Sequence, residues 1–451
     1  MTVGPRIIAK QPSTLMLGLD HLLKIRGDQL QFYENMRATY GDVVRLRLGP
    51  YRSHLLFHPA HIEELLTRKW SKFIRFRKLT DVIRQWNGDS LLLAEGDEWR
   101  QRRRKVMPAF QTKRLPDYGV MAIAETEKLC ETLAQTAVDG ELRIDTDARM
   151  ARLTMDIATR TLFGAQPRSN GGEIEKAIQV LSDTAFREST SLASLPDWFP
   201  LPDKHRKKWA MKIMDDLVRE LVRERIERGT QGDQRDLLSS LIEQHDGDFE
   251  DIRNDVMSLL IAGHETSGAL LGWLFACLAR SPDWLTKLLQ EIKDAIGTRS
   301  PSAADIANLP ILRAIVDETL RLFPPAYTLF LRQAEEDIDL LGVKLRKGDL
   351  VQIVPFTTQR DPRFFINPTS FDPARFLTNP SWPQYAFLPF GAGPRVCIGQ
   401  NFGLMESCLV VATLLQRMVP LATKGFPTPS AKFSLRPLGG LPMTWKIIQE
   451  F

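Results

Sequence analysis

A mainly α-helical fold with a minor β-rich part agrees with this sequence on three observations. Helical periodicity dominates: Met211 to Arg228 is a long amphipathic pattern, Phe249 to Arg280 is longer still, and Asn401 to Met418 adds another. Strand-like runs are short, at Val43–Leu48, Leu55–Phe57, Ile338–Leu341 and Val351–Val354. Composition is that of an ordinary globular protein, with 43% hydrophobic and 25% charged residues over 451 positions, which disfavours disordered, collagen-like and membrane-bundle classes.

Charge and cysteine usage narrow the partners. A net charge of +5 is too weak over this length to imply nucleic acid. The cysteines at 130, 277, 397 and 408 show no paired framework, which fits a reducing compartment. The apolar run Leu15–Leu19 is broken by Asp20 and His21, too short for a transmembrane anchor or signal peptide, so a cytoplasmic protein is expected.

In chain order, a helix is expected from Asp28 to Tyr40, closed by Gly41, followed by a hairpin in which Gly49-Pro50 turns the run at 43–48 into the run at 55–57. His58 and His61 open a short helix but lack the glutamate of a zinc-binding H-E-x-x-H. Residues 68–93 are irregular. Asp97 then caps a helix carrying Trp99-Arg100-Gln101-Arg102-Arg103-Arg104-Lys105, on which Trp99, Arg103, Val106 and Phe110 share an inward face while Arg100, Arg102 and Arg104 spread over the others. Two helical patterns lead from Pro116 to Gly164, and a loop spans Pro167–Gly172. The apolar loop Leu192–Pro202 packs on the body or, on a sharper reading, forms an entry lid. In that reading the basic run Lys204–Lys208 meets anionic lipid.

The run from Leu259 to Ala279 is apolar nearly all round, but Gly263-His264-Glu265-Thr266-Ser267 sits in its middle, which suits a buried central helix better than a membrane span. Gly263 removes bulk from one side, and Thr266 can bond back to the carbonyl of Ala262, so the helix makes room for a small ligand. Ser281-Pro282 starts the next helix, and Pro310 opens one bearing Glu318 and Arg321. The chain ends in an expected hairpin of Phe433–Leu435 with Met443–Trp445.

The stretch Phe390-Gly391-Ala392-Gly393-Pro394-Arg395-Val396-Cys397-Ile398-Gly399 gathers what a thiolate metal ligand needs. An arginine lies two positions before the sulfur, a helix N-terminus follows it, and Gly393 and Gly399 bracket it. A phosphate loop would need a glycine where Val396 stands, and no further Cys or His lies between 265 and 396 to complete a zinc site.

The spacing Phe390-x-x-Gly393-x-Arg395-x-Cys397-x-Gly399 resembles the haem-ligand signature of the cytochrome P-450 superfamily. Trp99-x-x-x-Arg103, Ala262-Gly263-x-Glu265-Thr266, Glu318-x-x-Arg321 and Asp372-Pro373-Ala374-Arg375-Phe376 resemble its other motifs, in its order. The resemblance covers essentially the whole chain and implies a single domain, 1–451, with the cytochrome P-450 fold and haem b between the central helix and the cysteine segment. It makes Cys397 the axial ligand, with Phe390 and Gly391 in its loop and Ala262 beside the cofactor. Trp99, Arg103 and Arg395 become propionate partners, as does Arg332 on a weaker match. Thr266 hydrogen-bonds dioxygen, Glu265 helps relay protons, and Arg375 joins Glu318 and Arg321 in a brace for the cysteine loop. His264 is assigned no catalytic role.

The implied activity is a monooxygenase that hydroxylates or epoxidises an apolar substrate with O2. Electrons from NAD(P)H would come through a separate ferredoxin or flavodoxin and its reductase, since the sequence stops about fifty residues after Cys397. The outward arginines near the cysteine would receive an acidic donor, and a monomer is expected. A peroxide-driven hydroxylase or rearranging enzyme is the alternative, disfavoured by the intact Glu265-Thr266 pair; a non-catalytic haem sensor and a haem-free scaffold stand further off. By analogy the substrate pocket draws on 68–93, 186–202, the central helix, Ala326–Leu331 and 434–441, and fatty acids, terpenoids, steroids and carotenoids all fit.

Overall fold

The computed structural model describes residues 9–165, 171–191, 197–228, 236–245, 248–378, 381–423 and 425–448. The helix Phe249–Leu278 forms its axis. It begins where the Asp248 carboxylate accepts the N–H groups of Glu250 and Asp251, both at 3.1 Å. The helix Thr146–Phe163 lies against it so closely that a Cβ on Gly268 would meet the Cα of Ala151 at 2.8 Å. Helices Pro202–Arg228, Pro310–Leu322 and Gln400–Leu415 complete its surroundings, so apolar residues on every face are buried. Deep in this core the Trp273 ring stacks on Phe323 at 4.2 Å, and its indole N–H donates to the carbonyl of Leu435 at 2.8 Å.

A five-stranded sheet packs at one side in the order Val43–Leu48, Tyr51–Leu56, Leu350–Ile353, Arg332–Ala334, Phe73–Arg75. Its first pair is the expected hairpin, with Leu48 opposite Tyr51 across the Gly49-Pro50 turn. At the far edge the antiparallel register sets Arg332 directly opposite Arg75. The helix Gln29–Tyr40 is bounded as its sequence requires: the Asp28 carboxylate accepts from Gln31 N–H, and Gly41 ends it with a φ of 93°.

Several expectations change. Residues 68–93 hold the strand Phe73–Arg75 and the helix Arg77–Asn87; three residues are too few to show alternation, and the helix buries only a narrow stripe including Val82, Ile83 and Trp86. The C-terminal hairpin does not form. Pro442–Ile447 instead pairs with Glu141–Asp145 and Met418–Pro420, while Leu435–Pro437 pairs with Pro429–Ala431. Such pairings join distant segments, which runs of residues do not record. Met418 is therefore in a strand, and the amphipathic helix reaches back to Pro202. Ser281 makes no side-chain cap bond, and Asp97 lies inside the helix Gly96–Val106 rather than capping it.

Two charged runs also read differently once folded. Arg102 is buried, held by Glu98, Asp251 and Asp255, and so does not join Arg100 and Arg104 outside. Lys204 and Lys207 are likewise buried against Glu188 and Asp197 and are not presented to lipid. Residues 192–196 of the expected lid, and 167–170 of the preceding loop, lie outside the described residues. No helix among the described residues is long and apolar enough to cross a membrane.

Candidate active site

The cysteine loop is fixed by its backbone. Cys397 N–H donates to the carbonyl of Phe390 at 3.0 Å, closing the loop, and the helix Gln400–Leu415 starts three residues later. Gly391 and Gly393 have φ of 70° and 71°. A Cβ on Gly393 would lie 1.9 Å from the carbonyl oxygen of Leu66, so only glycine lets the loop dock on the turn Glu64–Arg68. Gly399 has an ordinary φ and an open neighbourhood, so the bracketing glycines are 391 and 393. Burial pushes the Cys397 thiol upward in pKa, against the Gly399 N–H and the charge of Arg103, both of which favour thiolate. The cation that reaches the sulfur is Arg103, from another helix, rather than Arg395, its near neighbour in sequence.

Arg395 turns the other way. It donates to the carbonyl of Ala94 at 2.9 Å, pairs with Glu95, and lies over the Trp99 ring at 4.0 Å. Arg103 donates to the Val396 carbonyl at 3.0 Å and flanks the same ring at 5.7 Å. Arg332 and Arg75 come from the sheet edge, and Arg75 pairs with Glu95 at 3.1 Å. Four guanidinium groups are thus gathered with one carboxylate. Burial, then repulsion from Arg75, pulls Arg395 down to about 9 and Arg332 to about 10, with Glu95 opposing. Arg75 Nε is buried without a partner. Like charges directly opposite on paired strands are destabilising, so this group calls for further negative charge.

Sequence reasoning missed Arg75 and Glu95. The signal for Arg75 was local: it shares a strand face with buried Phe73.

Across from the loop, the Thr266 hydroxyl donates to the carbonyl of Ala262 at 2.8 Å, as expected of a threonine that loosens its helix. Both residues line a cavity of about 630 Å³. Leu79, Ile83 and Leu92, the end of the helix Gly171–Thr190, Pro325–Leu331 and Phe433 also line it, whereas the 434–441 turn does not.

Glu265 points elsewhere. Its carboxylate accepts from Ser434 at 2.6 Å and Arg436 at 3.0 Å, and Arg436 also holds Asp147 at 2.9 Å. Burial would raise its pKa, but Arg436, His264 and Ser434 outweigh that and hold it low. In this arrangement it faces a buried ion cluster instead of a solvent path. His264 is buried, with Nδ1 3.1 Å from the Leu260 carbonyl, in keeping with the lack of a catalytic assignment.

A second acid lies beside this helix. Glu406 is fully buried and accepts from Ser267 at 2.7 Å, with its other oxygen unpartnered; burial drives it up to about 8, against the Ser267 bond. Its signal in sequence was a lone acid within an apolar helix.

The site's demands are a partner for a sulfur in a dry loop, anions for surplus arginines and an acceptor for Trp99, whose indole N–H makes no hydrogen bond in the described structure. A flat apolar group carrying two carboxylates and a metal meets all three. Haem b is such a group, and the class is that of the haem-thiolate proteins. The family model "Cytochrome P450" matches residues 11–437, and the chain belongs to that family.

Among its relatives, cyclooctatin synthase of Streptomyces melanosporofaciens is 31% identical over 94% of this chain and 93% of its own length. Cyclooctat-9-en-7-ol 5-monooxygenase of the same organism is 30% identical over 88% and 86%, and pentalenene oxygenase of Streptomyces avermitilis 29% over 88% of each. The enzyme is accordingly a haem-thiolate monooxygenase that uses haem b and O2 on apolar substrates, with NAD(P)H-derived electrons delivered by redox partners.

Proposed function

We propose that Cys397 is the thiolate ligand, and that Trp99, Arg103, Arg332 and Arg395, with Arg75 added, hold the two haem carboxylates. The surplus of buried arginine over Glu95 carries this reading, because nothing else in the described site answers that charge. Phe390, Gly391 and Gly393 shape the loop under the cofactor, and Ala262 leaves space above it. When bound, haem supplies oxygen activation at a thiolate-ligated iron.

The chain's own residues do the rest. Thr266 presents a hydroxyl at the cavity wall, the apolar lining excludes water, and Glu265 can move a proton only after exchanging its bond to Arg436. The Glu318–Arg321–Arg375 brace is complete: Arg321 grips Glu318 at 2.7 and 2.8 Å, and Arg375 joins at 3.1 Å. Reduced protein under carbon monoxide should show the red-shifted thiolate band. Its absence from folded, haem-loaded protein would sink the assignment of Cys397.

We further place the enzyme in the cytoplasm as a single-domain monomer fed by a ferredoxin or flavodoxin. The exposed Arg100 and Arg104, on the helix that brings Arg103 to the cysteine, favour an acidic donor there. Trp198, 75% exposed, with Phe199 and Leu201, supports transient contact with a lipid surface. Flotation with anionic liposomes at low salt tests it, and protein remaining at the bottom of the gradient argues against it.

A further inference from the structure

The cavity is apolar around Ala262 and polar at the end formed by the hairpin and the helix Gln29–Tyr40. Tyr33, 4% exposed, accepts a hydrogen bond from Gln29 Nε2 at 2.9 Å, and its own hydroxyl hydrogen has no acceptor among the described residues. The neighbouring Tyr327 differs: its hydroxyl lies 2.6 Å from the Lys432 carbonyl and 3.0 Å from Gln29 Oε1. Ser53, 1% exposed, lines the cavity and makes no side-chain hydrogen bond within the described structure. Buried hydroxyls normally find partners, so two donors without acceptors on one wall point to a ligand that supplies them.

Lys78 gives that ligand its charge. It lines the cavity, half-buried, and donates to the backbone carbonyl of Ser191. Arg26 donates to Thr190 and Ser191 at the same place, and no carboxylate among the described residues pairs with either cation. Burial, then the charge of Arg26, pulls the Lys78 pKa down, as for an ammonium lacking a counter-ion. Phe76, two residues before Lys78, meets Tyr51 edge-on at 5.0 Å, and Tyr51 shares a strand face with Ser53. The lysine therefore sits at the hairpin end of the cavity.

We propose that Lys78, Tyr33 and Ser53 form a carboxylate subsite, and that the substrate is an elongated apolar acid bound with its carboxylate at the hairpin and its hydrocarbon body toward Thr266. A cavity of about 630 Å³ accommodates such a molecule. The inference rests on the monooxygenase reading and adds a direction to it: oxygen enters a carbon remote from the carboxylate. For each C–H bond converted to C–OH, O2, two electrons from the redox partner and two protons are consumed and one water is released.

Calorimetric titration of the haem-loaded full chain with dodecanoic acid and with dodecanol tests this. The acid should bind at least tenfold tighter than the alcohol; Lys78→Gln should erase that difference and Lys78→Arg restore most of it. Tyr33→Phe should weaken the acid about threefold. Equal affinities for the two probes, an acid preference that survives in Lys78→Gln, or binding of neither overturns the subsite, the equal-affinity result assigning the donors to a neutral oxygen group. The carbon monoxide band of each protein is read in parallel. Loss of that band in wild-type protein is a failure of the haem-thiolate reading and is thereby told apart from failure of the subsite.

Discussion

Two arginine assemblies lie close to the cysteine loop, and they differ in how completely the polypeptide satisfies them. In the brace, Arg321 bonds both oxygens of Glu318 and the carbonyls of Gln359, Pro368 and Ser370, while Arg375 adds Glu318 and the Ile366 carbonyl. Every guanidinium there has a protein partner. In the group around Trp99, Arg332 has no ion pair among the described residues, Arg75 has a buried nitrogen without a partner, and one carboxylate serves several cations. A network closed by the protein alone holds the fold. A network left open marks where something else must bind.

Substitutions should separate the two kinds. The largest functional effect is expected from Cys397→Ala, which should abolish the red-shifted carbon monoxide band while leaving far-ultraviolet circular dichroism unchanged. Arg321→Leu should do the reverse: stranding Glu318 in the core costs about 3–5 kcal/mol, read as a lower urea midpoint of the haem-free protein. An unchanged midpoint would dissolve the contrast.

The two buried acids beside the central helix sharpen it further. Glu406 is raised from an ordinary 4.5 to about 8, so its contribution to stability is full below pH 4.5 and is lost as pH rises through 8. Glu406→Gln should flatten that decline, and urea midpoints of the two proteins should diverge across this window. Glu265, held low chiefly by Arg436, contributes with the opposite sign, losing stability as pH falls below its ordinary range. Parallel pH profiles for wild type and Glu406→Gln would mean that Glu406 is already ionised.

The smallest effect carries the most information. Arg332→Gln relieves a like-charge pair across the strands and should stabilise haem-free protein by about 0.2–1 kcal/mol, yet weaken haem retention several-fold in a transfer assay. The same change in both properties would show that the group is a structural network after all.

What the sequence disclosed follows the same division. The cysteine segment was legible because its demands are local: positive-φ glycines, a closing backbone bond and an adjoining helix all fall within a dozen residues. The helix Gln29–Tyr40 was legible for the same reason, since Asp28 and Gly41 mark its ends. Arg75 became a site residue only through its register against Arg332, and the misplaced C-terminal strand pairs with a segment near residue 141. Arg102 shows the limit of reading charge runs, because its partners Asp251 and Asp255 lie on another helix. The cavity draws on segments from Leu22 to Phe433 and has no signature in any one of them.

The contact between Gly393 and Leu66 also has a meaning for biosynthesis. The loop that presents the sulfur docks on a turn made near the start of translation, with most of the chain between them. While the ribosome is still short of residue 397 the nascent protein has no thiolate to offer, however much of its helical body has already condensed. Capture of iron through that sulfur therefore belongs to the released or nearly released chain, and the supply of cofactor at that moment sets how much apoprotein accumulates.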